Sequence, residues 1–304
     1  MPSIIIPARN HAQFTATCLG SILYSMSRLN LKCEFILIDD ASDPEERIID
    51  IFRDHRAKSP GHEFKIIRSN KHQHYSGVFS IGLSQSTRDL IFFISNDMVT
   101  TTSFFEAQLL VSSLSREIGI VRGTSNYTDS HPEYQIAPPE RLKSYPDIDQ
   151  FSRHQFNTLT CTYHEDKILS GDAILLKREL VERIGVLDLR FFGYFGDIDY
   201  GMRAQLAGFK MVCARGAWLY HEGGGHLVSE MQRKKVEYSE LHARRMALVE
   251  AGYQEFRAKW RLEGSAHWEV RQSHDFVAKA KANADGVALK YDFPASANED
   301  LEFF

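Results

Sequence analysis

Short, uninterrupted apolar runs recur along the first 120 residues, each ending in polar or glycine residues and followed by a stretch with helical spacing. This alternation limits the fold more than any other feature. The runs are Ser3 to Pro7, Glu34 to Asp40, Phe64 to Asn70, Leu90 to Asp97 and Ile118 to Gly123. Segments such as Ile4-Ile5-Ile6 and Phe35-Ile36-Leu37-Ile38 lack the alternation of a half-exposed strand, so they suit a parallel sheet covered on both faces. Between them, Phe14 to Leu29, Glu45 to Arg56, Val78 to Ser86 and Phe104 to Ser115 space apolar residues three and four apart, as crossover helices do. The class is α/β: a Rossmann-like, mostly parallel central sheet flanked by helices.

The remainder is less regular. Residues Thr124 to Lys167, rich in polar and aromatic residues and holding Pro132, Pro138, Pro139 and Pro146, read as irregular structure inserted into the sheet. A strand at Ala173 to Leu176, helices at Arg178 to Ile184 and Ile198 to Ala207, and a strand at Met211 to Ala214 follow. Leu227 to Trp260 reads as a long helix bearing Arg233, Lys234, Lys235, Arg244, Arg245, Arg257 and Lys259, with Arg261 just beyond; a solvated face is the plainer reading, an anionic acceptor, partner or membrane surface the alternative. The organisation expected is a domain over 1–226 (a nucleotide-binding half, 1–120, and an acceptor and catalytic half, 121–226), a helical extension over 227–264, and a tail or linker over 265–304, towards a further domain.

Composition removes several classes. A net charge of -4 offers no field to draw the chain onto nucleic acid. Cys18, Cys33, Cys161 and Cys213 form no CxxC pair, so reduced, buried thiols are expected. No run approaches the roughly 18 apolar residues that span a bilayer. The expected location is the cytoplasm, with the inner face of the membrane open to peripheral contact.

In an open parallel sheet, ligands bind beyond the carboxyl ends of the strands. Those ends carry Arg9 and Asn10, Asp39 and Asp40, Arg68 and Asn70, and Asn96 and Asp97. Turn and cap preferences explain any one of them, but four successive strands deliver polar groups to one edge. Asp97 suits a hard divalent cation, which takes one or two protein carboxylates plus substrate phosphates. A second concentration, Gly193-Tyr194-Phe195-Gly196-Asp197-Ile198-Asp199-Tyr200, sets two carboxylates at a helix start, where the helix dipole favours their charge. Either acid can cap the helix while the other does chemistry, and Arg203 stands at pairing distance from Asp199. In Tyr220-His221-Glu222-Gly223-Gly224-Gly225-His226 the spacing is HExxxH and three glycines would break the helix of a zinc protease, which excludes that reading. His221 is instead placed to complete a metal site or touch a diphosphate.

The order and spacing of "SIIIPARN", "FILIDDASD", "FFISNDM", "LSGDAILLKRELVERIGVLDLRFFGYFGDIDYGMRAQLAGFK" and "AWLYHEGGGH" resemble a family 2 glycosyltransferase of the GT-A fold over roughly residues 3 to 226. The resemblance implies that Pro7, Ala8, Arg9, Asn10 and Asp39 contact the nucleotide, with Asp39 or Asp40 on the base edge and ribose. It makes Ser95-Asn96-Asp97 an Asp-x-Asp motif with its first acid replaced, Asp97 the metal ligand, His221 a holder of metal or diphosphate, and Asp197 the base ahead of Asp199. Gly196 stands where an acid usually precedes that base. The implied reaction is inverting transfer, with Mn2+ or Mg2+, from a UDP-hexose, UDP-N-acetylhexosamine or dTDP-rhamnose to a glycan or lipid-linked glycan acceptor in surface polysaccharide, lipopolysaccharide or glycoprotein assembly. Tyr127, His131, Tyr134, Tyr145, His154, Tyr163 and His164 are candidate sugar contacts. Two rivals are a sugar nucleotidyltransferase, disfavoured because Ala8 to Phe14 holds no glycine-rich phosphate loop, and a non-catalytic sugar-binding or scaffold domain.

Overall fold

A computed structural model describes residues 1–128, 132–223, 237–262 and 273–304. In chain order its strands are β1 (Ser3–Ala8), β2 (Glu34–Asp40), β3 (Glu63–Ser69), β4 (Leu90–Ile94), β5 (Met98–Val99), β6 (Ile118–Ser125), β7 (Tyr163–Glu165), β8 (Ala173–Lys177), β9 (Lys210–His221) and β10 (Leu301–Phe303). Its helices are α1 (Ala12–Arg28), α2 (Ile48–Lys58), α3 (His74–Gln85), α4 (Thr102–Ser113), α5 (Tyr145–Leu159), α6 (Arg178–Ile184), α7 (Gly196–Leu206), α8 (Tyr238–Trp260) and α9 (Ser273–Ala282).

The strand order is β10-β3-β2-β1-β4-β8-β6-β9-β5, with β7 on β9. Strands β3, β2, β1 and β4 run parallel, and β6 and β9 share their direction, because β8 pairs antiparallel with both β4 and β6. The continuous apolar runs are explained by cover on both faces. Ile4, Ile6, Phe35 and Leu37 pack with Cys18, Leu19 and Ile22 of α1, Phe52 of α2 and Phe104 and Phe105 of α4. Their neighbours Ile5, Ile36 and Ile38 pack on the other face with Phe79 of α3, Leu180 of α6 and Tyr200 of α7. Each of these side chains is withdrawn from water, worth roughly 1.5–3 kcal/mol apiece for the larger ones.

Three expectations change. The segment from Thr124 to Lys167 contains a 15-residue helix, α5. Its Pro146 sits in the first turn, where a missing N–H does no harm, and Ser144 and Asp147 close a capping box, so a proline that looked like a breaker is part of a start signal. Residues 301–303 do not lead away as a linker: β10 adds antiparallel to β3 and closes that edge of the sheet. The thiols of Cys18, Cys33 and Cys213 are buried, whereas Cys161 is exposed.

A third apolar cluster lies beside the sheet, where Ile198 and Met202 of α7 meet Val249, Tyr253, Phe256 and Trp260 of α8 and Val277 and Ala280 of α9. The basic helix α8 is therefore partly a core element. Lys259 points inward, its side chain 3% exposed, to Asp188 (3.1 Å) and Asp199 (2.6 Å). Arg233, Lys234 and Lys235 lie outside the described residues.

Candidate active site

A cleft of about 750 Å³ opens at the carboxyl ends of β1, β2 and β4. Pro7, Ala8 and Arg9 reach it from β1 and Asp40 from β2, with Ser95, Asn96 and Asp97 following β4. His221, at the end of β9, completes that wall.

Of the two acids ending β2, the structure turns only one into the cleft. Successive strand residues face opposite sides. Asp39 is fully buried, accepting from Ser42 N (3.0 Å) and from the Arg68 guanidinium, and does not line the cleft. Asp40 does; its carboxylate accepts from Gln73 N at 2.6 Å and stands 2.6 Å from His72 Nδ1. Arg9 donates to Asp40 O (3.1 Å). Asn10 is buried and ties the loops after β1 and β2 together: its N–H donates to Ser42 Oγ and its Oδ1 accepts from Asp43 N, both at 2.8 Å. Arg68 and Asn70 also lie off the cleft, Asn70 N donating to Asp300 O (2.9 Å) beneath the strand that closes the sheet.

After β4, Asn96 Nδ2 donates to Thr15 Oγ1 (2.9 Å), and Asp97 Oδ2 lies 3.1 Å from His221 Nε2. The other imidazole nitrogen, Nδ1, is 3.1 Å from Tyr127 O. With Nδ1 donating to that carbonyl, Nε2 faces Asp97: in the imidazolium it donates to the carboxylate, and in the neutral ring its lone pair is available to a cation, as in metal-ligating histidines oriented by a carbonyl. Burial disfavours charge on His221, but the Asp97 carboxylate outweighs it and lifts the imidazole pKa to about 9, so without a cation the two form an ion pair. No three His, Cys, Asp or Glu residues among the described ones cluster as metal ligands. One carboxylate and one imidazole fit a cation that takes its remaining ligands from phosphate and water.

The two candidate bases part company. Asp199 is fully buried: Arg203 Nε donates to it at 2.8 Å, Trp260 Nε1 at 3.0 Å, and Lys259 Nζ lies 2.6 Å away. Arg203 also donates to the carbonyls of Ile184, Val186 and Leu289, each at 2.9 Å. Asp199 is thus the centre of an ion network joining α7, α8 and the chain beyond α9, with no free face for a substrate. Asp197 lines the cleft half-buried, Oδ1 accepting from Ile198 N (2.9 Å) and Oδ2 from Gly171 N (3.3 Å). Burial pushes its pKa up to about 6, with the Asp172 charge adding and the backbone N–H bonds opposing. The helix start therefore does not keep this acid at ordinary strength; desolvation outweighs it. Gly196 packs closely on α3: a Cβ there would lie 2.2 Å from Ser76 Oγ, so a side chain at this position requires the Ser76 hydroxyl to turn aside.

Sequence reasoning missed Asp172, His72, His74, Tyr75 and the α8 residues Tyr238 and His242, all of which line the cleft, as does Arg245 of the basic helix. Asp172 precedes β8, whose antiparallel course brings its amino end to the edge where the parallel strands finish. Among the aromatic candidates of the inserted segment, Tyr127 reaches the cleft. Tyr134 is buried under the Arg122 guanidinium, Tyr145 lies in a different cavity, and His154, Tyr163 and His164 are away from the cleft. His131, Gly224, Gly225 and His226 lie outside the described residues.

A family model, glycosyl transferase family 2, matches residues 3–185. The chain belongs to that family. The fold is GT-A, as in the mannosyltransferase PcManGT from Pyrobaculum calidifontis in complex with GDP-Man and Mn2+ (15% identity, TM-score 0.58, covering 97% of this chain and 77% of that one). GalNAc-T7 with UDP, GalNAc and Mn2+ is similar too (16% identity, TM-score 0.54), over 73% of this chain and 43% of that one. No curated protein matches the sequence significantly. Among the described residues, no helix is long and apolar enough to cross a membrane.

Proposed function

We propose that this family 2 glycosyltransferase is inverting and uses Mn2+ or Mg2+ to transfer a sugar from a nucleotide-diphosphate donor, a UDP-sugar or dTDP-rhamnose, to a hydroxyl of a glycan or lipid-linked glycan acceptor. The observation that carries the reading is one cleft holding both the Asp97–His221 pair and the half-buried Asp197 carboxylate. Two GT-A neighbours whose structures hold a nucleotide and Mn2+ support the donor class and the cation.

In this scheme Pro7, Ala8, Arg9 and Asp40 hold the nucleotide, with Asp39 and Arg68 bracing the floor beside them. Asp97 and His221 hold the cation, which when bound neutralises the departing diphosphate. Asp197 receives the proton of the acceptor hydroxyl as its oxygen bonds to the anomeric carbon and the bond from that carbon to the diphosphate breaks. The negative charge leaves with the nucleotide diphosphate, and attack opposite the leaving group inverts the centre. Two backbone N–H bonds fix the Asp197 oxygens, and with a pKa of about 6 the group is mostly ionised at pH 7 yet a stronger base than an ordinary aspartate. The acceptor is assigned to surface polysaccharide or glycoconjugate assembly, in the cytoplasm or at the inner face of the membrane.

A panel of nucleotide sugars incubated with Mn2+ tests the reading through donor hydrolysis, with UDP and Mn2+ titrated calorimetrically in parallel. Hydrolysis of one donor, with binding heat that needs the metal and fails in Asp97→Ala, is the expected result. Absence of both across the panel would overturn it in favour of a non-catalytic sugar-binding or scaffold domain.

A further inference from the structure

On the reverse side of the Asp97–His221 wall lies a second cavity, of about 620 Å³, that no step of the reaction uses. The two cavities share a thin partition. In the β5–β9 ribbon Met98 pairs with His221 and Val99 with Tyr220; Met98 and His221 line the catalytic cleft, whereas Val99 and Tyr220 line the second cavity. Strand alternation accounts for this, since neighbouring residues face opposite sides.

The lining has a specific chemistry. Tyr24 of α1 and Tyr145 of α5 meet edge to face, with ring centroids 5.5 Å apart and planes at 84°, and Tyr220 supplies a third ring. Tyr24 is 52% exposed, an aromatic surface the fold leaves open to a ligand. Arg141 and Lys143, just before α5, contribute two exposed cations, the Lys143 charge also acting on the nearby Asp147 carboxylate. Glu222 adds one carboxylate, which can only accept hydrogen bonds and so calls for hydroxyl donors.

From this set we infer that the second cavity is a binding site for an anionic saccharide. Sugar C–H faces stack on the tyrosines, a ring carboxylate pairs with Arg141 and Lys143, and a hydroxyl pair donates to Glu222. Aromatic rings with a cation-rich edge match such a ligand, while the isolated acid disfavours a compact phosphate, which has few hydroxyls to give it. The inference takes its ligand class from the glycan acceptor proposed above: the cavity would hold an acidic stretch of the acceptor or product chain away from the reacting hydroxyl.

The test is calorimetric or NMR titration of the whole chain with a hexagalacturonate and, separately, with neutral maltohexaose. Arg141→Ser/Lys143→Ser and Tyr24→Ala are the variants, all at exposed positions, with thermal unfolding of each checked against the parent. The acidic oligosaccharide is expected to bind and the neutral one to bind at least about tenfold more weakly. Each variant is expected to lose about tenfold or more. UDP with Mn2+ is titrated into the same samples. Donor binding that survives in the variants while hexagalacturonate binding falls supports the site. No binding of hexagalacturonate, equal binding of both sugars, or binding unchanged in the double variant overturns it, whatever the donor does. Loss of donor binding in the unsubstituted protein counts against the transferase reading alone.

Discussion

Replacing Asp197 by asparagine is expected to stabilise the protein at neutral pH while removing transfer. The native carboxyl has a pKa of about 6 against the ordinary 3.8, so roughly two units of ionisation free energy are lost on folding. At 1.36 kcal/mol per unit that is about 3 kcal/mol at pH 7. Asparagine removes this penalty, but only its oxygen accepts, so one of the bonds from Ile198 N and Gly171 N is lost, costing about 1 kcal/mol. The net gain is about 2 kcal/mol, on the order of a 3 °C rise in Tm for a chain of this length. Its pH dependence has a definite sign. The native state holds the proton more tightly than the unfolded state, so ionisation destabilises it fully above pH 6. The penalty fades as pH falls from 6 towards 4 and is absent where both states are protonated. Thermal unfolding at pH 7 and at pH 3.5, with donor-to-acceptor transfer assayed beside it, checks both halves. Transfer should fall by about a hundredfold or more with donor affinity kept. A variant that is less stable at pH 7, that gains equally at pH 3.5, or that transfers normally would refute the reasoning.

The same carboxyl sets an acidic limb: transfer by the unsubstituted enzyme should drop as pH falls through about 6, measured as kcat/KM across pH 5 to 8. Asp199→Asn leaves Arg203 buried without its counter-charge and Lys259 with Asp188 alone, and the expected loss of about 3 kcal/mol is read by urea unfolding; stability near that of the parent would contradict the network described. Gly196→Glu supplies the acid usual in the family, and its Cβ meets Ser76 Oγ; pairing it with Ser76→Ala tests the contact, the double variant being expected to be more stable to unfolding than Gly196→Glu alone, and equal stability of the two would contradict the contact. Gly185 has a φ of 70°, and a Cβ there would lie 1.8 Å from Tyr291 O, so Gly185→Ala should detach that crossing of the C-terminal chain and lower Tm by several degrees.

Periodicity by itself determined the α/β class, the first four parallel strands and the helices between them, because a strand buried on both faces must be apolar throughout and a crossover helix must bury one stripe. It also placed Arg9, Asp40 and Asp97 at one edge, since polar groups at strand ends follow from that topology. Direction and depth were decided only by tertiary structure. Asp172 was not legible as a cleft residue because β8 runs against its neighbours, and nothing local encodes strand direction. Pro146 misled because a proline in a first turn and one that breaks a helix look alike until the cap is seen. Asp197 and Asp199 are two residues apart, too close for composition to separate. Packing of α8 across α7 divides them: Lys259 and Trp260, some sixty residues away, seal one acid in an ion network and leave the other, desolvated and half-exposed, on the cleft.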